Sequence, residues 1–432
     1  MRVERREWDG AGATALAAEI RDARPRPQEV AGAAAGIVAE VARGGDAALR
    51  ELARRLNSVE HAPESFRVDP RQIAAAPDAI DPPVLEAMQV AAGNIRALAE
   101  AELRACSPVD VELSEGQRVR QVDTPVGSAG AYAPGGRAAY PSTVLMCCVP
   151  ARVAGVSRVA VASPPGPDGG VHASVLAACS VAGVDEVYAV GGAQAIAALV
   201  LGTESVTPVD VVVGPGNRYV VEAKRLLSDR VGIDSIAGPS ELVVVADGSA
   251  EPRRLALDLC AQAEHGPDGL LVAISTDGEL LDELGTLLAA LAQERPSVSD
   301  VPVTLVASPG ADRALQLADA LAPEHLELQL SDVPEDVAGA RVAGCVFVGV
   351  GGGAAFGDYA AGSNHVLPTG GAARVGRPLG PDTFLRRTAV VDVGAPAAAA
   401  LAPAVDALAR AEGFPVHGES ATARAGQNGG ER

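Results

Sequence analysis

The stretch EVYAVGG, Glu186 to Gly192, is a short apolar run that ends in glycine. Similar runs alternate with helical patterns before and after it: RVAVASPP from Arg158, DVVVGPGN from Asp210, ELVVVAD from Glu241, LLVAIST from Leu270, VTLVAS from Val303 and GCVFVG from Gly344. Continuous apolar strands that alternate with helices are typical of a parallel sheet covered on both faces. Because the pattern restarts at Glu241, it predicts an α/β protein with two α/β domains in tandem.

The regions on either side of these runs have different residue patterns. From Thr14 to Glu102, Ala, Leu, Glu and Arg recur at helical spacing, and no chemistry is expected there. Beyond Pro381, one Ala-rich helix and then a polar, frayed end are expected. The predicted domains are a mostly helical N-terminal region (1–110) that packs partly on the second α/β domain, a first α/β domain (111–235), a second α/β domain (236–380) and a C-terminal tail (381–432).

Composition excludes several classes of partner. The chain has 35 Lys and Arg against 55 Asp and Glu, and its net charge of -20 repels phosphate backbones, so nucleic acid is not expected to bind. The start MRVERREWDG is too charged for a signal peptide, and no apolar run reaches the roughly 18 residues that span a membrane. Six cysteines without a CxxC pair indicate reduced thiols. We therefore expect a cytoplasmic protein.

Four glycine-rich loops follow the predicted strands. In open α/β sheets ligands bind beyond the carboxyl ends of the strands, and glycine allows close approach of the backbone. One such loop alone would be explained by the end of a strand. Together they favour binding, because each carries or adjoins a polar or aromatic side chain, namely Tyr132, Gln194, Asn217 and Ser240. The run GVGGGA, 349–354, fits a dinucleotide-binding pattern, but no acidic residue supports it, and we interpret it as a flexible loop.

Two further pairs have the composition of a catalytic site. Gln262 and His265 are three residues apart, which places them on one face of a helix that Gly266 ends. With Asp358 and His417 they could form a four-coordinate zinc site, although each residue alone is more often structural. Glu324 and His325 are adjacent: either they begin a solvated helix behind Pro323, or they act as a general base with a second basic group for water.

Several longer motifs resemble the histidinol dehydrogenase family in order and interval. They are YAPGGRAAYPSTVLM, GGAQAIAAL, GPGNRYVVEAKRLL, AGPSELVVVAD, PEHLEL, GDYAAGSNHVLPTGG and EGFPVH, between about Val122 and His417. The resemblance implies two incomplete Rossmann-like domains, the first for NAD and the second for zinc and catalysis. It also implies an intertwined homodimer in which the C-terminal tail reaches the active site of the partner subunit.

The resemblance also assigns site residues. Glu324 and His325 match the acid/base pair, and Tyr132, Gln194 and Asn217 match positions that contact NAD. Zinc ligands are implied at Gln262, His265, Asp358 and His417. Substrate binding is implied at Ser240, Gln262, His265, His325, Asp358, Glu412 and His417.

The implied reaction is the four-electron oxidation of L-histidinol to L-histidine through bound L-histidinal, with two NAD. Two alternatives are an enzyme for another small polar alcohol and a catalytically silent zinc-binding protein. Retention of Ser240, Glu412 and His417 is an argument against the first, and retention of Glu324 and His325 against the second. The sequence departs from the family in the glycine-rich loop 349–357 and in the segment 374–387, beside the expected site.

Overall fold

The computed structural model describes residues 1–24, 30–57, 65–106, 108–135, 139–236, 238–298 and 300–425. The chain forms two compact units: a large unit of Met1–Ala101 with Gly127–Phe384, and a small unit of Glu102–Val126 with Leu385–Arg432. Residues 136–138 and 237 of the glycine-rich loops, and 426–432 of the predicted frayed end, lie outside the described residues. The sequence-based boundaries at 110 and 381 do not coincide with this division.

The N-terminal stretch is mostly helical, but it opens with a strand that the sequence did not indicate. Its elements are β1 (Arg2–Glu7), α1 (Ala13–Asp22), α2 (Ala31–Asn57), α3 (Pro70–Ala75), a 3-10 turn (Ala76–Ala79) and α4 (Pro82–Ala105). Strand β1 pairs in parallel with Pro302–Ala307. Helix α2 bends at Gly45, where φ is 50° and ψ is -133°, a conformation that glycine adopts without a steric penalty. Two strands of the small unit come next, β2 (Val109–Glu112) and β3 (Arg118–Pro125).

A five-stranded parallel sheet follows. Its elements are β4 (Ser128–Tyr132), α5 (Pro141–Val153), β5 (Arg158–Ser163), α6 (Ala173–Val181), β6 (Glu186–Ala189), α7 (Gly192–Leu201), β7 (Val211–Val213), α8 (Arg218–Leu227) and β8 (Gly232–Ile233). The strand order is β6-β5-β4-β7-β8, so the chain winds outward in both directions from β4. Helix α2 contributes Leu52 to the core on one face, beside Ile196 and Val212.

A six-stranded parallel sheet forms the second α/β layer. Its elements are β9 (Glu241–Ala246), α9 (Pro252–Ala263), β10 (Leu270–Ser275), α10 (Gly278–Glu294), a 3-10 turn (Pro296–Val298), β11 (Pro302–Ala307), α11 (Ala311–Leu321), β12 (His325–Gln329), α12 (Glu335–Gly339), β13 (Cys345–Val348), α13 (Ala354–Tyr359) and 3-10 turns at Ala372–Arg374 and Pro381–Phe384. The order is β1-β11-β10-β9-β12-β13.

Hydrophobic cores cover both faces of this second sheet. Helices α9 and α10 supply Leu255 and Leu284 to one core, and helices α1 and α11 supply Ile20 and Leu317 to the other. Every residue of β9 and β10 is buried, which explains why those runs are apolar without alternation. The prediction of two α/β units in tandem, each built on a parallel sheet, is confirmed.

The small unit is an antiparallel sheet with two helices. The last elements of the chain are β14 (Leu385–Asp392), α14 (Ala395–Ala411) and α15 (Pro415–Ala425). The strand order is β14-β3-β2, and Arg387 of β14 pairs with Asp123 of β3 at 2.7 Å. The Ala-rich helix is present as α14, but part of the expected frayed end forms α15. Among the described residues, no helix combines the length and apolarity that crossing a membrane requires.

Candidate active site

Glu324 and His325 lie at the amino end of β12, not at the start of a helix. Helix α11 ends at Leu321, Ala322 takes a left-handed φ of 47°, and Pro323 prevents the helix from continuing. His325 then begins β12 between Leu242 of β9 and Cys345 of β13. Because Glu324 and His325 are only 6% and 3% exposed, the interpretation as a solvated helix start is wrong.

Glu324 and His325 also lie at the opposite edge of the sheet from the one where the candidate residues were expected. The loops after the strands were expected to hold the chemistry, but Ser240 precedes β9 and Glu324 precedes β12. Gln262 lies in the last turn of α9, which leads back to the amino end of β10. His265 lies two residues beyond that helix, so it does not share a helical face with Gln262 as the spacing predicted.

The His325 ring lies between two carboxyl groups. Its Nδ1 is 3.7 Å from Oε2 of Glu324, and its Nε2 is 3.4 Å from Oδ1 of Asp358. Among the described residues, Nδ1 has no hydrogen-bond partner. Burial, with smaller contributions from His365 and His265, lowers the pKa of His325 to about 3. The imidazole is therefore neutral near pH 7, and one of its two ring nitrogens is an acceptor.

The two carboxyl groups are in low-dielectric surroundings. Oε2 of Glu324 accepts a hydrogen bond of 2.9 Å from the backbone N–H of Glu241. Burial raises the pKa of Glu324 well above its usual range, and burial raises the pKa of Asp358 to about 6. Glu324 can hold a proton near neutral pH, Asp358 holds one mainly below about pH 6, and a nearby positive charge would favour the carboxylate form of both.

Gln262 connects helix α9 to Asp358 on α13. Its amide Nε2 donates to Oδ2 of Asp358 at 3.1 Å, while its buried Oε1 has no donor among the described residues. His365 lies next to this pair, with Nδ1 2.8 Å from the backbone oxygen of Asp358 and Nε2 3.2 Å from Oγ1 of Thr143. His265 is exposed, but it is near enough to disfavour protonation of His325 and His365. The structure thus groups Gln262, Asp358, His325 and Glu324, with His265 nearby.

A buried ionic cluster supports the backbone at Glu241. The guanidinium of Arg21 in α1 donates to both carboxylate oxygens of Glu241, at 2.8 and 3.0 Å, and to the carbonyl oxygen of Leu321 at 3.1 Å. Arg24 lies 3.4 Å from the same carboxylate, and Gly370 donates its N–H to it. Sequence analysis missed this cluster because α1 carries only helical spacing and its contacts are long-range.

The positions matched to NAD contacts lie at the carboxyl edge of the five-stranded sheet, as predicted. Tyr132 ends β4, and its buried hydroxyl accepts the N–H of Gly192 at 3.0 Å. Gln194 is buried in the first turn of α7. Asn217 begins α8, where its Oδ1 accepts the N–H groups of Tyr219 and Val220. Asn217 therefore caps the amino end of α8.

A buried ion pair holds the backbone of the loop between β7 and α8. Gly214 has φ of 109°, and a Cβ there would lie 2.3 Å from the carbonyl oxygen of Tyr132, so the position requires glycine. Lys224 pairs with Asp234 and donates to the Gly214 carbonyl at 3.0 Å, while Asp234 accepts the Gly214 N–H at 2.8 Å. Lys224 and Asp234 were not singled out from the sequence.

The remaining candidates are Ser240 and two residues of the small unit. Ser240 is half-buried and uses its carbonyl oxygen to accept the N–H of Leu270 at 3.0 Å. Glu412 directly follows α14 and His417 lies in the first turn of α15; both are exposed. The His417 ring packs on Phe414 with ring centroids 5.6 Å apart.

Comparisons with known proteins agree with one another. The family model described as histidinol dehydrogenase matches residues 21–425. Histidinol dehydrogenase of Synechococcus sp. is 43% identical over 90% of each chain, and that of Ruegeria pomeroyi is 42% identical over 95% of this chain and 96% of the relative. The crystal structure of histidinol dehydrogenase from Elizabethkingia anophelis superposes with a TM-score of 0.89 at 28% identity, covering 98% of both chains.

Proposed function

Because the chain belongs to the histidinol dehydrogenase family, which catalyses the NAD-dependent final step of histidine biosynthesis, we propose that Glu324 and His325 carry the chemistry of that step. The observation that supports this most is the burial of a neutral imidazole against two carboxyl groups at the amino end of β12. A general base must be unprotonated at working pH, and burial keeps the imidazole of His325 in that form.

His325 would serve twice in the oxidation of L-histidinol to L-histidine. If Nε2 carries its hydrogen toward Asp358, Nδ1 is the free acceptor for the hydroxyl proton when the substrate carbon loses hydride to NAD. After water adds to bound L-histidinal, His325 would take a proton from the resulting diol for the second hydride loss. Glu324 would activate that water as the carboxylate.

The residues at the amino edge of the six-stranded sheet fit zinc by the chemistry of their donors. Oε1 of Gln262 is a buried acceptor without a donor, Asp358 supplies a carboxylate beside it, and His265 supplies an imidazole nearby. The described residues contain no group of three or more His, Cys, Asp or Glu able to hold a metal. The proposed set would not form such a group in one chain, because it includes an amide and takes His417 from the partner subunit.

Zinc, when bound, would orient the substrate and favour the ionised forms of Glu324 and Asp358. We assign the same residues to substrate binding, with Ser240, His325 and the tail residues Glu412 and His417. The active sites would then be shared within a homodimer whose tail mediates dimerisation. All six cysteines are free thiols, which is compatible with the cytoplasmic location that we propose.

NAD would bind at the carboxyl edge of the five-stranded sheet. Strand order reverses between β4 and β7, and such a switch point leaves a crevice beyond the strand ends. Tyr132 and Gly214 border it, and Gln194 and Asn217 begin the helices next to it. We therefore interpret the two layers as Rossmann-like domains of incomplete type.

The experiment that tests the proposal counts NADH. Purified protein with limiting L-histidinol and excess NAD should form about two NADH for each histidinol, because both oxidations occur on one enzyme. The His325→Ala variant should lose roughly 100- to 10,000-fold in rate. If His325→Ala formed NADH from L-histidinol at the wild-type rate, the assignment would be contradicted.

A further inference from the structure

A second pair of carboxyl groups lies beside the site, and the proposed chemistry does not use it. Asp258 is one turn before Gln262 in α9, and Glu327 follows His325 by two residues in β12. On a helix, positions four apart share a face, and on a strand, positions two apart share a side. The helix face that carries Gln262 therefore carries Asp258, and the strand side that carries His325 carries Glu327.

Glu327 is completely buried and holds the start of α13. Its Oε1 accepts the N–H of Ala354, the first residue of that helix, at 2.8 Å. Ala354 is one turn before Asp358, so this hydrogen bond fixes the end of the short helix from which Asp358 projects. Its Oε2 receives no N–H or O–H donor from the described residues.

Asp258 supplies the partner of Glu327. Asp258 is close enough to Glu327 to raise the pKa of that carboxyl group, and it also approaches the backbone at Gly353, where a Cβ would lie 3.3 Å from its Oδ1. Two carboxylates cannot hydrogen-bond without a shared proton. Burial, reinforced by Asp258, raises the pKa of Glu327 to about 8, so the pair retains that proton at neutral pH.

We propose that Asp258 and Glu327 form a positioning pair that holds α13 against α9 and thereby keeps Asp358 in place beside Gln262. This inference rests on the proposed zinc site, because those two residues are its ligands from the two helices. Without the pair, the N–H of Ala354 would lose its acceptor on β12, and the side-chain bond from Gln329 to the carbonyl oxygen of Gly352 would remain only ahead of the helix. The expected consequence is a weaker metal site.

The test compares Glu327→Leu with Glu327→Gln in the full-length protein. The Gln side chain can accept the N–H of Ala354 and donate to Asp258, as the protonated acid does; Leu can do neither. Zinc affinity, measured by competition with a chromophoric chelator, should fall roughly 10- to 100-fold in Glu327→Leu and stay within a few-fold of wild type in Glu327→Gln. Asp258→Ala, at a half-buried position, should resemble Glu327→Leu with less risk to folding.

A glutamate in the other parallel sheet, Glu186, serves as the control. Glu186 is held by Arg158 and by the hydroxyl of Tyr188 in the five-stranded sheet, so Glu186→Leu should lower stability but leave zinc affinity unchanged. Equal affinities in wild type and Glu327→Leu, or equal losses in Glu327→Gln and Glu327→Leu, would overturn the proposal.

A second readout separates this inference from the zinc site itself. In metal-free protein, hydrogen exchange of the amides in 354–359 should accelerate in Glu327→Leu and not in Glu327→Gln, because the Ala354 hydrogen bond needs no metal. If wild type binds no zinc, the proposed metal site is contradicted, and the exchange comparison still decides whether the pair positions α13. Unchanged exchange in Glu327→Leu would overturn the inference whatever the zinc result.

Discussion

Replacing Arg21 with Met should destabilise the protein although Arg21 is remote from the reacting groups in sequence. The substitution keeps an apolar stem but removes both hydrogen bonds to Glu241, whose side chain is 1% exposed. Breaking a buried ion pair costs about 3–5 kcal/mol, because the remaining charge is left without its partner. Since Arg24 still lies 3.4 Å from Glu241, we expect the low end, about 3 kcal/mol.

Urea denaturation followed by circular dichroism would measure this loss as a change in the free energy of unfolding. A matched control is Arg341→Met. The Arg341 side chain is exposed to a similar extent, but its partner Asp319 is 26% exposed, so the expected loss is about 1 kcal/mol or less. The double variant Arg21→Met with Glu241→Gln should lose less stability than the sum of the losses of Arg21→Met and Glu241→Gln, because both single substitutions break the same ion pair. Equal losses for Arg21→Met and Arg341→Met, or additive losses in the double variant, would refute the reasoning.

Further predictions concern the metal, the tail and pH. Purified protein should contain about one zinc per chain, and chelation should abolish activity while far-ultraviolet circular dichroism is retained; active protein without zinc would contradict this. Mixing inactive His265→Ala with inactive His417→Ala chains under subunit exchange should restore some activity, since one site of a heterodimer collects both defects; no recovery despite verified exchange would reject sharing of the site. The pKa of Glu327 is raised to about 8 in the folded chain, so the stability it contributes is present below the ordinary carboxyl range and is lost as pH rises toward 8. In metal-free protein, Glu327→Gln should therefore flatten the decline in unfolding free energy across that interval, and parallel curves would contradict it.

The sequence was sufficient for seven strands of the parallel sheets, because each of them is an apolar run between helices; it did not indicate the buried strands β4 and β12, whose sequences are SAGAY and HLELQ. It did not indicate β1, since RVERRE carries no apolar alternation and forms a strand only by pairing with β11. Strand β14 was missed for the same reason, as most of its residues are exposed. Edge strands and small exposed sheets depend on partners that local sequence does not reveal.

The candidate site shows the same limit. The adjacency of Glu324 and His325 indicated chemistry, and the resemblance to the family is confirmed by the comparisons. The helix start that was predicted for this pair was wrong. Ala322 has a left-handed conformation, and the chain continues from it into a strand. Arg21 and Glu241 are 220 residues apart, and no local pattern connects them. Glu327 was not singled out, because no strand was expected there and its hydrogen bond to Ala354 joins residues 27 positions apart.

The most direct test of the assigned chemistry compares Glu324→Gln on two substrates, L-histidinol and L-histidinal, by NADH formation under single-turnover conditions. The variant keeps an acceptor for the N–H of Glu241 but cannot become a carboxylate. Oxidation of histidinol to the aldehyde level should be largely preserved, whereas oxidation of histidinal, which needs activated water, should fall by roughly 100-fold or more. Equal rates for variant and wild type on both substrates would contradict the role of Glu324 as the base for water.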